Sequence, residues 1–427
     1  MDRHILIICQ YFYPEQFRIN DMAFEWVKRG YKVTVVTGLP NYPEGKIFEG
    51  YGLFKKRHEI INGVEVYRIP LIPRGNGKLG LVLNYFSFPF FGFFWNMFTH
   101  IKADEVYMFE TSPMNQCKVG VAYAKKHKVP CYLYVQDLWP ENVEMITGIH
   151  SPLLVKPIER MVRKIYKGCT HIWGTSPSFV DSIRKYVDED EQDKVSFWPQ
   201  YAEEFYEPKE KVEHKGFNVI FTGNIGQAQG LEILPKAAAI IRNEGVKDIR
   251  FTIVGDGRAR ESFKESITAA GVWDLFEFAG RVKPTEVPGI LAKGDAAFIS
   301  FADDELFAKT IPAKLQSYMA CAMPIIASAK GETARVIAEA KCGMCSDIGD
   351  ANALAMNIIA MRNLPTPIRL QMGENALAYN REHFSKKKLM DYMDTFLASP
   401  PSGAKEVRGT SDLSRPERKR RRSCQRS

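Results

Sequence analysis

Twice along this chain, a short apolar run ends in a loop, enters a helical pattern and returns to a β-rich run. His4–Phe12 leads through Pro14 to apolar positions at Met22, Trp26 and Val27, then to Gly30 and the run Lys32–Thr37. Phe217–Thr222 ends in Gly223-Asn224-Ile225-Gly226, becomes helical from Leu231 and reaches Arg250–Val254. Strand–loop–helix–strand units of this length are crossovers, and crossovers make neighbouring strands parallel. Further strand-like runs follow in each half: Val106–Phe109 and Cys131–Val135, then Phe276–Ala279, Ala296–Ser300 and Pro324–Ala327. A parallel sheet needs helices on both faces, so the expected class is α/β, with two doubly wound Rossmann-like domains. The stretch Pro199–Gly216, rich in Glu and Lys and poor in aliphatics, reads as the linker. The expected domains are therefore residues 1–207 and 208–399, and a last helical pattern, Lys386–Leu397, can pack on either.

Charge narrows the function classes. The formal net charge is +8, but Pro400–Ser427 holds nine basic and three acidic side chains, which leaves the body near +2. Nucleic-acid binding needs basic charge gathered on the folded body, so no nucleic-acid partner is expected. Residues 400–427 lack apolar periodicity and read as a disordered basic tail. The first residues are too short and polar-flanked for a secretory signal. The Cys residues are scattered through apolar runs, which fits reduced thiols in the cytoplasm. Residues 79–99 carry no charge, yet Pro89, Gly92 and several polar side chains interrupt them. A buried or interfacial helix pair, partly dipping into a bilayer surface, is expected there in preference to a membrane span.

Open parallel sheets bind ligands beyond the carboxyl ends of their strands. In the second half those places are Gly223-Asn224-Ile225-Gly226 with Gln229, Gly255-Asp256-Gly257 and Gly280-Arg281, followed by Lys309 and Lys314 before an apolar helix. Glycine lets a phosphate approach the backbone closely, and lysines supply charge. Three such turns in one domain point to a phosphate-bearing ligand. A GxGxxG after the first strand is missing, as is a P-loop, which lowers hydride transfer and P-loop chemistry. Asp188-Glu189-Asp190 precedes a strand and reads as a solvated loop, not a metal site.

The runs "FTGNIGQAQGLEIL", "FTIVGDGRAR", "FAGRV" and "IPAKLQSYMACAMPIIAS" resemble the donor domain of retaining nucleotide-sugar glycosyltransferases of the GT-B family 4 type. The N-terminal "YFYPEQFRIND", "GYKVTVVTGLPNYPEGK" and "YVQDLWPENV" resemble its branch that builds bacterial O-antigen, capsule and colanic-acid-like polysaccharides. The similarity runs from about His4 to Leu397. It implies two domains facing a cleft, the first binding acceptor and the second binding the nucleotide-sugar donor. It also implies transfer from UDP, with an N-acetylated amino sugar such as N-acetylfucosamine or N-acetylglucosamine as the preferred donor. The acceptor would be a lipid-linked saccharide on the inner face of the plasma membrane, which the protein would meet peripherally. No cofactor or metal is implied.

Two family features are replaced here. The usual Arg and Lys after the first donor-domain strand fall on Asn224 and Gln229, and the two glutamates spaced E-x7-E fall on Lys309 and Ser317. Lys309 and Arg281 are expected to face the leaving phosphate with Lys314 and the backbone N–H groups of Gly223–Gly226, beside donor contacts at Gln316 and Ser317. In the first half Asp137 is expected to orient the acceptor hydroxyl or to cap the next helix. Glu110, Arg18 and Asn20 are expected on the acceptor or phosphate side. Two other readings compete: a nucleotide-sugar 2-epimerase, and a non-catalytic lipid- or nucleic-acid-binding protein.

Overall fold

Strand β1 (His4–Ile8) is buried along its whole length, as a central parallel strand covered on both faces must be. The computed structural model describes residues 3–75, 77–147 and 151–398; the basic tail lies outside them. Around β1 the first sheet collects β2 (Lys32–Thr37), β3 (His58–Ile61), β4 (Val64–Arg68), β5 (Glu105–Glu110), β6 (Cys131–Val135), β7 (His171–Gly174) and β8 (Val195–Phe197). Their order is β3-β4-β2-β1-β5-β6-β7-β8, all parallel except for the β3–β4 hairpin at one edge. The second sheet contains β9 (Phe217–Thr222), β10 (Ile249–Val254), β11 (Phe276–Gly280), β12 (Ala296–Ser300), β13 (Ile325–Ser328) and β14 (Gly343–Ser346). Its order is β11-β10-β9-β12-β13-β14, parallel throughout. In both sheets the order reverses beside the first strand, which opens a crevice at the strands' carboxyl ends.

The linker ties into both domains. Tyr201 is buried in the first core, Tyr206 packs on the second, and Val212 N–H donates to the Ala292 carbonyl. The last helix, Lys386–Ala398, returns to the first domain, where Leu389, Met390, Met393 and Leu397 join its core. Trp198 Nε1 and the Tyr132 hydroxyl donate to carbonyls of that helix. Strand β1 and the last described helix thus share one core.

The expected helix pair at residues 79–99 is a single 21-residue helix, Lys78–Phe98. Pro89 removes the N–H that would satisfy the Tyr85 carbonyl, and Asn115 Nδ2 donates to that carbonyl instead, at 2.8 Å. Gly92 is no break either. A Cβ there would meet Val119 at 2.4 Å, so this glycine lets the helix Cys117–His127 approach closely. Among the described residues, no helix is long and apolar enough to cross a membrane.

Candidate active site

The segments that follow the carboxyl ends of the two sets of strands meet each other. Ser176, after β7, donates from Oγ to the Lys309 carbonyl, after β12. Ser178 N–H and Oγ both donate to Glu332 Oε1, after β13, at 2.9 and 2.6 Å. Leu306 packs on the core of the first domain. At another point Arg281, after β11, stands 3.9 Å from Glu44, after β2. These contacts define a cleft between the two sheets.

On the second domain's side, three glycine turns lie against one another. Gly223 N–H donates to the Val254 carbonyl, and Gly255 N–H donates to the Gly280 carbonyl. A Cβ on Gly255 would fall 1.9 Å from the Gly223 oxygen, and one on Gly257 2.2 Å from the Ile225 oxygen. Both Gly223 and Gly255 have φ near +130°, where side chains are strained. Glycine is therefore required for the packing of the turns themselves as well as for ligand approach.

That packing corrects one expectation. The N–H groups of Gly223–Gly226 do not form an open anion cradle. Gly223 N–H serves Val254, Ile225 N–H serves Asp256, and Gly226 N–H serves Gln229 Oε1 at 3.0 Å. Among the described residues, this leaves only the Asn224 N–H of the four without an internal acceptor. Gln229 is a brace for the turn, and Asp256 Oδ1 accepts from Gly257 N–H in the same capacity.

Positive charge comes instead from Lys314, on the helix Ala313–Ala320. Its Nζ is buried, has no hydrogen-bond partner among the described residues, and lies 4.1 Å from the centroid of the Phe221 ring. It also lies 3.5 Å from where a Cβ on Gly223 would stand. Burial alone draws its pKa down to about 7. An ammonium group kept out of water without a counterion is costly, and an anion beside Gly223 would relieve that cost. Tyr318, one turn further along, fixes this helix to the turn, with its hydroxyl accepting from Thr222 N–H at 2.8 Å. Ser300 Oγ donates to the Gln229 carbonyl at 2.6 Å and fixes the other side. Sequence reasoning missed Phe221, Ser300 and Tyr318; only their positions at strand ends and one turn after Lys314 hinted at them.

The other donor-side expectations divide. Lys309 is half-buried at the domain contact and reaches the first domain through its carbonyl. Gln316 is fully buried and its carbonyl accepts from Asn380 Nδ2, so it is a packing residue out of a ligand's reach. Ser317 Oγ turns back to the Ala313 carbonyl within its own helix.

In the first domain, Asn20 braces a loop: its amide accepts from Tyr13 N–H and donates to the Glu15 carbonyl. Arg18 is buried, paired with Glu203 and placed 5.3 Å over the Tyr201 ring. Asn20 is committed to the protein itself, which corrects the expectation that it meets phosphate; Arg18 is ion-paired, while its Nε has no hydrogen-bond partner among the described residues. Glu110, at the end of β5, is fully buried; burial and neighbouring Asp137 push its pKa well above the usual carboxylate range. Asp137 keeps partial exposure after β6, and its Oδ2 accepts from Ser112 N–H at 2.6 Å. It therefore caps the loop after β5.

Known proteins share this architecture and part of this sequence. Residues 202–378 match the family model "Glycosyl transferases group 1". The C-terminal domain is thus similar in sequence to group 1 glycosyltransferases. The chain is 28% identical over 235 residues to a probable glycosyltransferase, WbjE, of Pseudomonas aeruginosa, covering 52% of this chain and 57% of that one. It is 22% identical over 315 residues to a putative colanic acid biosynthesis glycosyl transferase, WcaI, of Escherichia coli K12, covering 64% and 70%. Counting a further relative, the matches cover 40% to 70% of the curated proteins, so the chain spans about half of their length. Sucrose-phosphate synthase of Thermosynechococcus elongatus superposes with a TM-score of 0.71 at 15% identity, covering 93% of this chain and 100% of that one. The chain thus has the two-domain α/β architecture of GT-B structures.

Proposed function

We propose that the protein is a retaining glycosyltransferase that moves a sugar from a UDP-sugar to a lipid-linked saccharide in surface polysaccharide synthesis. The observation that carries the donor part is Lys314 Nζ, buried and without a hydrogen-bond partner beside the Gly223 turn. A diphosphate seated there would supply the missing counterion. The names of two relatives, a probable glycosyltransferase and a putative colanic acid glycosyl transferase, support the transfer and the pathway.

The chemistry follows from where charge develops. As the sugar leaves, its anomeric carbon becomes cationic and the β-phosphate gains negative charge. Fixed positive groups aimed at that phosphate then stabilise the transition state more than the ground state. With three backbone N–H groups of the first turn already engaged, this task falls on Lys314, on Lys309 from the loop after β12 and on Arg281 from the loop after β11. The leaving phosphate, on the face the sugar departs from, accepts the proton of the incoming hydroxyl, and configuration is retained. Asp137, at the opposite wall, orients that hydroxyl.

Two measurements test the reading. UDP-sugars, unlike GDP- or dTDP-sugars, are expected to raise the melting temperature by mass action, with about 2.7 kcal/mol of stabilisation at a hundredfold excess over Kd. No shift with any nucleotide sugar would overturn it. Lys309→Ala is expected to lower turnover about tenfold or more, since a charged hydrogen bond is worth about 1.5 to 3 kcal/mol; wild-type turnover would remove Lys309 from the site.

A further inference from the structure

The helix Lys78–Phe98 packs Tyr85, Phe88, Phe91 and Trp95 on the core of the first domain and leaves a second apolar face uncovered. Its polar side chains Asn84, Ser87 and Asn96 are buried, while Leu79, Val82, Leu83, Phe86, Phe90, Phe93, Phe94 and Met97 are exposed. These eight positions recur at three- and four-residue spacing, so they form one stripe along the whole helix. Phe86 and Phe93 are each 63% exposed and Leu79 is 73% exposed. An uninterrupted apolar face of this length is a contact surface.

The inward polar groups fix that orientation. Asn84 accepts from Gln10 Nε2 and donates to the Ile72 carbonyl, and Ser87 Oγ accepts from Ile72 N–H. Rolling the helix to bury its phenylalanines would break these bonds.

Basic side chains outnumber acidic ones beside the stripe: the hollow that Phe94 and Phe98 line is also lined by Lys32, Arg57 and Lys102 against Glu65. No Asp or Glu occurs between Glu65 and Asp104, nor between Glu110 and Asp137. The neighbouring helix, Cys117–His127, exposes Lys118, Lys125 and Lys126, and Lys126 Nζ donates to the Asn96 carbonyl at the stripe's end. A second copy laid on this face would bring lysines against lysines. Phospholipid headgroups of negative charge would pair with them while the aromatic rings enter the acyl boundary.

We infer that this helix lies flat in the surface of an anionic bilayer, with its stripe inserted and the lysines at headgroup level. The inner face of the helix touches the cleft segments: Asn84 is bonded to Gln10, just past β1, and the Tyr85 ring lies 6.3 Å from the Trp139 ring, past β6. The mouth of the cleft is therefore held at the bilayer surface, where a lipid-carried acceptor arrives. The role of the contact rests on the function proposed above; the contact itself can be measured without any nucleotide sugar.

The test is flotation of the full chain with vesicles of phosphatidylglycerol and phosphatidylcholine in equal parts, and with phosphatidylcholine alone. The wild type is expected to float with the anionic vesicles. Combined Phe86→Ser, Phe90→Ser and Phe93→Ser should lower partitioning about tenfold or more, with the melting temperature and its shift by UDP-sugar retained. Lys118→Glu with Lys125→Glu should remove the preference for phosphatidylglycerol. A wild type that does not float, or a triple variant that floats as well as wild type, overturns the inference. So does a wild-type dimer in sedimentation velocity that the triple variant splits while neither binds vesicles. Flotation without a UDP-sugar shift would instead count against the proposed transfer and leave the bilayer contact standing.

Discussion

Lys314→Met is expected to abolish the stabilisation that a UDP-sugar gives and, at neutral pH and below, to make the ligand-free protein more stable than wild type. The two effects share one cause. In the unfolded chain this lysine holds its proton to a pH near 10.4, whereas in the fold burial draws its pKa down to about 7. Between those values unfolding takes up a proton, so wild-type stability rises with pH across that window and is lowest below it. A tenfold change in proton affinity on folding is worth about 1.4 kcal/mol, so Met is expected to gain a few kcal/mol below pH 7 and to flatten that rise. Urea denaturation at pH 6 and pH 9 would read both. Donor affinity should move the other way. Binding needs the ammonium, so wild-type affinity for a UDP-sugar is expected to fall about tenfold for each pH step of one above pH 7. Lys314→Arg, charged throughout that range, should remove this dependence where it still binds. A Met variant that binds the donor as wild type does would exclude Lys314 from the site.

The second large effect concerns the turns. Gly255→Ala places a methyl 1.9 Å from the Gly223 oxygen at a φ of +131°. Backbone strain and overpacking cost about 1 to 3 kcal/mol each, so a loss of about 2 to 6 kcal/mol is expected, along with loss of the UDP-sugar shift. Gly245 offers the control: its φ is +77°, but a Cβ there meets nothing within 4 Å. Gly245→Ala should cost about 1 kcal/mol and leave donor binding intact. Equal losses in the two variants would mean that the Gly223–Gly255 contact does not organise the pocket.

Much of the fold was legible because apolar runs such as Cys131–Val135 and Ala296–Ser300 are buried central strands whose composition leaves little alternative. The β3–β4 hairpin was not legible, since its edge strand His58–Ile61 alternates exposed and half-exposed positions and carries little apolar signal. In sequence alone the helix Lys78–Phe98 splits in two, because Pro89 and Gly92 look like breaks. Their compensation comes from Asn115 and Val119, more than twenty residues away, and local sequence does not reveal such partners. At the site, the glycines at three strand ends stand against one another, Gly255 touching both Gly223 and Gly280. Which N–H groups remained free was not readable, because Val254, Asp256 and Gln229 take them through contacts fixed only by packing. Asn20 failed for a related reason: polar residues beside a cleft also serve to brace its loops.

A crystal structure of the protein with bound UDP tests the central claim most directly. Lys314 Nζ should lie within about 3 Å of a diphosphate oxygen, with the phosphates over the Gly223 and Gly255 turns. UDP bound elsewhere, with Lys314 still over the Phe221 ring and touching no phosphate, would contradict it.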